Sequence, residues 1–149
     1  MRSRAVRLNA VTRLIWRLHR TVYVMSAGRL GAHFLGWHVV LLKTVGRKTG
    51  QARTVALNAL EEPGRYVVIA SFVGENRHPA WFLNLQAKPR AEILERGRWR
   101  PVEASVIAGT ERDRLWREIV ARDPSYLEYQ ARTTRQIPLV VLEPVIGDN

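Results

Sequence analysis

The segment from Trp37 to Leu60 limits the architecture most sharply, because it reads as two strands joined by a turn too short to hold a helix. Trp37 to Lys43 is a buried strand rich in valine and leucine, and Gly46 to Gly50 is the turn. In the second strand, Arg53 to Leu60, Thr54, Ala56 and Asn58 alternate with Val55, Leu57 and Leu60. A hairpin with a long basic tip follows. Glu62, Pro63 and Gly64 make the next turn, and Tyr66 to Ala70 a third strand. Pro79 opens a short helix that carries Trp81, Phe82 and Leu85 inward until Pro89 ends it. Strands around Ala91 to Leu94 and Val102 to Ile107 come next. Thr110, with Asp113 three residues later, reads as a capping box at the head of a helix through Leu115, Trp116, Ile119 and Val120 that stops near Pro124. Ile137 to Glu143 is the last strand. About six short strands with two or three flanking helices, and no βαβ alternation, place the chain in the α+β class as a small antiparallel β-barrel.

At 149 residues, 46% hydrophobic and 25% charged, the chain makes about one globular domain and is not disordered. The barrel domain is assigned to residues 28–149 and a helical leader to residues 1–27. In the leader Val11, Leu14, Ile15, Leu18, Val22 and Met25 form a helical stripe while Arg13, Arg17 and Arg20 take another face. Such a basic amphipathic helix either meets an anionic membrane surface through residues 1–25 or packs on its own domain. The longest nearly apolar run, Phe34 to Leu42, is about half the length a bilayer requires. No export signal is recognisable, so the expected location is the cytoplasm, with the inner face of the plasma membrane available to the leader. Zero cysteines exclude disulfides, thiolate metal sites and cysteine nucleophiles.

The net charge of +11 is unevenly spread: residues 1–60 hold 11 Lys and Arg and no acid, whereas residues 61–149 hold 13 of each sign. So one-sided a field favours phosphates, anionic headgroups or a polyanionic cofactor. Nucleic acid is not expected, because neither interleaved stacking aromatics nor a groove-reading motif is present.

Several familiar chemistries fail on spacing. Gly46-Arg47-Lys48-Thr49-Gly50 lacks the residue order of a nucleotide-binding P-loop. Lys48-Thr49-Gly50 matches one penicillin-binding signature, but no serine has lysine three positions on. His19, His33, His38 and His78 lack metal-ligand spacing and read as packing or surface residues, so no metal is expected. No Gly-x-Ser-x-Gly elbow exists. Arg47, Lys48 and Arg53 on the glycine-flanked turn remain, either as an anion site or as a solvated hairpin tip.

The run Leu41-Leu42-Lys43-Thr44-Val45-Gly46-Arg47-Lys48-Thr49-Gly50-Gln51-Ala52-Arg53-Thr54 resembles the signature of the deazaflavin-dependent nitroreductase and quinone reductase family, coenzyme F420-dependent enzymes with a split β-barrel. Val67 to Ser71, Pro79 to Leu85, and Pro124 to Gln130 with Ile137 to Pro144 match in the same order, so the likeness runs from about Gly28 to Pro144. The resemblance implies a deazaflavin in a barrel groove, its phosphate and acidic tail facing basic residues. It implies cofactor contacts from Arg47, Lys48, Thr49, Arg53, Ala70, Ser71, Ala80, Trp81 and Asn84, and catalytic or substrate-lining roles for Ser71, Tyr126 and Tyr129. FMN is the alternative cofactor, and a non-catalytic deazaflavin or anionic-lipid binder the alternative function. The expected reaction is hydride transfer from reduced F420 to a quinone, enone or nitro-type acceptor. Hydride transfer needs two flat systems face to face with water excluded, and a hydroxyl donor where negative charge grows on oxygen. Asp123 stands where nitroreductase members have a tyrosine and is expected to put a charge in the pocket wall. Phe72, Ala52 and Ala56 also depart from the family pattern, so prodrug-type nitroreduction is not assigned and a quinone or conjugated carbonyl is the expected acceptor.

Overall fold

The structure, a computed structural model, describes residues 33–34 and 37–147. The leader expected at residues 1–27 lies outside the described residues. Chain order is β1 (His33–Phe34), β2 (Trp37–Val45), β3 (Ala52–Glu62), β4 (Arg65–Ile69), α1 (Ala80–Ala87), β5 (Arg90–Glu95), β6 (Arg98–Val106), α2 (Gly109–Arg122), α3 (Ser125–Ala131) and β7 (Leu139–Pro144). A single 3-10 turn, Phe72–Gly74, precedes α1.

Every strand pair is antiparallel, and the order β2-β3-β4-β7-β6-β5 closes on itself when β5 returns to β2. Closure is short: β2 pairs with β3 from His38↔Ala59 to Val45↔Ala52 but with β5 only at Leu41↔Leu94, Leu42↔Ile93 and Lys43↔Glu92. This is the split β-barrel expected from the sequence, with six strands in the barrel and β1 added at the edge of β2.

The valine and leucine runs have a physical reason. Val40, Leu42, Val68, Ile93, Val102, Val140 and Leu142 fill the barrel interior with Phe82 and Leu85 of α1. Their strand neighbours Val67, Ile69, Leu139 and Val141 point outward and are covered by Leu115 and Ile119 of α2 and Tyr126 of α3. Strands buried on both faces read as continuous apolar runs rather than as alternation.

Beyond shifts of one or two residues at other strand ends, three boundaries differ from the sequence expectation for an identifiable reason. Thr110 is not a cap: α2 starts at Gly109, Ala108 occupies the capping position, and no side chain caps the helix. Gly109 adopts φ +67°, a turn that glycine makes cheaply, and this moves the helix start upstream of the apparent capping box. Strand β6 begins at Arg98 rather than Val102, because Arg96 and Gly97 both take positive φ and close a two-residue hairpin that pairs Glu95 with Arg98. Strand β7 begins at Leu139 rather than Ile137; the Ile137 N–H donates instead to Gln130 Oε1 at 2.9 Å.

Candidate active site in the barrel cleft

The basic tip is built first. Gly50 N–H donates to Gly46 C=O at 2.7 Å, Gly46 N–H to Gln51 C=O at 2.8 Å, and Gly50 takes φ +70°. Asn84 of α1 fastens this turn to the barrel. Its Oδ1 accepts from the Arg47 N–H at 3.1 Å and from the Arg47 guanidinium at 3.3 Å, while its Nδ2 donates to Thr44 Oγ1 at 3.1 Å. Both ends of the Asn84 carboxamide are thus engaged within the protein, which fixes the tip. Among the described residues no carboxylate pairs with Arg47, Lys48 or Arg53, and all three are exposed. Three unpaired cations on a rigid turn suit a phosphate or a carboxylate-rich chain.

The loop after β4 forms the next wall. Phe72 (φ 44°), Val73 (φ 53°) and Gly74 (φ 78°) take left-handed conformations in succession, a strained path that needs external support. Arg135 supplies much of it, donating to Ser71 C=O at 2.7 Å, Glu75 C=O at 2.9 Å and Ala70 C=O at 3.1 Å, with His78 Nδ1 at 3.3 Å. Burial first, and the Arg135 charge second, hold the His78 ring below the usual histidine range, so it is a neutral acceptor at pH 7. Its ring also packs on Phe82 at 4.7 Å.

Helix α3 completes the site. Asp123, just before it, accepts from the Ser125 N–H at 3.0 Å and hydroxyl at 2.5 Å, and from Trp37 Nε1 at 3.4 Å. The carboxylate expected in the pocket wall therefore serves the start of the helix instead and is not among the lining groups. Tyr126 is 6% exposed and meets Trp37 and Tyr129 edge to face, with centroids at 5.6 and 5.5 Å. Burial pushes its phenol up to about 12. It stays protonated across the physiological range and is a donor there.

These elements enclose one cleft of about 930 Å³. Arg47, Lys48, Thr49 and Arg53 line it at the tip; Ala80, Trp81 and Asn84 line it from α1; Ser71, Tyr126 and Tyr129 line it from the loop and α3. Ala70, by contrast, is fully buried in the barrel core and does not line it. Val55, Leu57 and Asn58 of β3, with Val73, are lining residues that sequence reasoning did not single out, and Phe72, noted there as a departure from the family pattern, lines the cleft as well. For Asn58 a signal existed: it is the lone amide within the apolar run Val55-Ala56-Leu57-Asn58-Ala59-Leu60. Its Nδ2 lies 3.4 Å from the Tyr126 hydroxyl, and its buried Oδ1 has no donor among the described residues. Arg135 carried no local signal, because its role depends on a loop more than 50 residues away in the chain. Of the four histidines His38 stacks on Tyr66 at 5.1 Å and lies 3.3 Å from Glu61, and no group able to hold a metal occurs among the described residues.

Asn58 lies five positions beyond Arg53 on β3, about 17 Å of extended strand. Cations at one end, a phenol and an amide at the other, and apolar walls between them give this split barrel a cleft with the shape and charge to suit an elongated ligand, flat at one end and anionic at the other. The chain belongs to the F420H(2)-dependent quinone reductase family, whose family model matches residues 15–144. It is 37% identical over 130 residues to an F420H(2)-dependent quinone reductase of Mycobacterium tuberculosis, covering 85% of this chain and 87% of that one. Among solved structures, an F420-H2 dependent reductase is 37% identical with a TM-score of 0.63, covering 70% of this chain and 93% of that chain. A domain-swapped dimer is 34% identical with a TM-score of 0.66, covering 88% and 99%. The ordered sequence blocks thus pointed to the right family and to F420 rather than FMN, and the family is named for quinone reduction.

Proposed function

We propose that this cleft carries out hydride transfer from reduced F420 to a quinone, with the cofactor's anionic end on the β2–β3 tip and the acceptor against Tyr126, Tyr129 and Ser71. The observation that carries this reading is the single cleft that joins unpaired cations to a buried phenol donor along β3. The residues fit the cofactor: the volume lies within the range of small-molecule and cofactor sites, the walls are apolar where a flat ring would lie, and positive charge is confined to one end. When bound, reduced F420 supplies a hydride. Arg47, Lys48 and Arg53 would hold its phosphate and acidic tail, while Thr49 and the pinned turn fix their reach. Ala80, Trp81, Val55 and Leu57 exclude water beside the ring. Tyr126 offers its proton to the oxygen on which charge grows as the quinone is reduced.

Replacing both Lys48 and Arg53 with alanine is expected to weaken F420 binding at least about tenfold, from the loss of two charge-assisted contacts. Fluorescence titration of the purified protein, followed by menadione added to the reduced complex, reads binding and turnover together. Unchanged affinity would remove the tip from the phosphate site, and binding without cofactor oxidation would refute reductase activity toward quinones.

We further infer that residues 1–25 bring the chain to anionic membrane surfaces, where hydrophobic quinones concentrate. Six arginines among the first 20 residues and the absence of acid support this. Among the described residues no helix is long and apolar enough to cross a membrane. Flotation with anionic liposomes is expected for the intact chain and not for a variant lacking residues 1–25; an intact chain that stays in solution overturns the inference.

A further inference from the structure

A phenol hydroxyl rotates about its C–O bond, so a donor role for Tyr126 requires something to aim its proton. Asn58 on β3 is the group in place to do so. Its Nδ2 approaches the Tyr126 oxygen at 3.4 Å from across the cleft wall. An N–H directed at that oxygen occupies one lone pair and prevents the phenol proton from turning back toward Asn58. The rings of Trp37 and Tyr129 flank Tyr126 edge to face, and among the described residues the Tyr126 hydroxyl donates to no acceptor. The Asp123 oxygens accept from Ser125 and Trp37, and among the described residues neither accepts from Tyr126. The open direction for the proton is the cleft.

A second observation concerns the other end of the same carboxamide. Asn58 Oδ1 is buried and receives no hydrogen bond among the described residues. A buried amide oxygen without a donor destabilises a protein, and leucine would fill similar space without that penalty. The structure therefore carries a cost at this position in exchange for the N–H that meets Tyr126.

We propose that Asn58 is a positioning residue for quinone reduction: its amide N–H holds the Tyr126 hydroxyl so that the phenol proton points at the acceptor oxygen. This rests on the reading of Tyr126 as the donor. Asn58 is a specificity element as well, because a donor aimed into an apolar cleft favours acceptors bearing a carbonyl oxygen over flat hydrocarbons of equal size.

Three variants of the full-length chain test it, each measured for melting temperature, F420 affinity, kcat and KM for menadione. Asn58→Leu is expected to melt no lower than the parent, to bind F420 within about twofold, and to lose about tenfold in kcat. Asn58→Asp gives a signature that a purely structural role would not produce. As a carboxylate, residue 58 accepts from Tyr126 and turns the phenol proton away from the cleft; as a carboxylic acid, it donates as the amide does. Residue 58 meets Tyr126 directly and shares the cleft with Tyr129 and with the Arg47, Lys48 and Arg53 cations at its far end, while Asp123 acts on Tyr126 from the start of α3. Burial raises a carboxyl there, so kcat of Asn58→Asp is expected to rise as pH falls from about 9 to about 5, relative to the parent. A parental pH profile for Asn58→Asp, or a parental kcat for Asn58→Leu, overturns the proposal. Tyr126→Phe separates the two failures. Parental turnover in that variant refutes the donor reading itself, whereas slow Tyr126→Phe beside unaffected Asn58 variants refutes only the positioning role.

Discussion

Gly74→Ala is expected to cost about 3 kcal/mol or more of stability, lowering the melting temperature by about 10 °C. Two effects act together. Gly74 holds φ +78°, a conformation that costs an L-residue roughly 1–2 kcal/mol. A Cβ there would lie 2.5 Å from the Tyr129 carbonyl oxygen, 2.9 Å from its Cα and 3.0 Å from Arg132 Cβ. Two of these atoms belong to the backbone of α3, so no rotamer change relieves the contact, and the helix has to move. Helix α3 carries Tyr126 and Tyr129, so the displacement reaches the cleft. Turnover is expected to fall together with the melting temperature, measured by thermal denaturation and by F420 oxidation with menadione. A variant that melts within about 2 °C of the parent would show that the loop and helix slide apart at little cost.

Tyr126→Phe is expected to lower kcat about a hundredfold while leaving F420 affinity within about twofold, the pattern for a donor whose bond strengthens in the transition state. Phenylalanine keeps the ring against Trp37 and Tyr129 and removes only the hydroxyl that meets Asn58. Because burial pushes this phenol up to about 12, the parent keeps its donor through the neutral range and loses it only in strong alkali. The linkage has a definite sign: the folded state holds the proton more tightly than the unfolded chain, so stability contributed by this group is present below about pH 10 and is lost as pH rises toward 12. Stopped-flow oxidation of the reduced cofactor by menadione separates the hydride step from product release. Equal single-turnover rates for variant and parent would take the hydroxyl out of the chemistry.

Local signals were enough for most of the architecture. Glycine and proline punctuation with short apolar runs located the six barrel strands and the helices at residues 80–87 and 109–122 to within a few residues, while the short helix at 125–131 was not placed. Two of the misplaced boundaries, the starts of β6 and α2, share one cause. Arg96-Gly97 and Gly109 take left-handed conformations, and neither hydrophobic periodicity nor an apparent capping box registers such a turn.

The sequence by itself determined the split barrel, the basic tip and the family. Each of these rests on residues close together in the chain: the Gly46–Gly50 turn with its cations, the helix opened by Pro79, and the tyrosines three apart after Pro124. Only the tertiary structure decided how those pieces serve one another. It turned Asp123 from the pocket wall to the start of α3, gave Asn84 to the tip as its fastening, and drew Ala70 into the core. It also set Arg135 across the loop at 70–78 and brought Asn58 to Tyr126 across 68 residues of chain. Contacts between distant strands and loops depend on closure of the barrel, and closure is a property of all six strands rather than of any one segment.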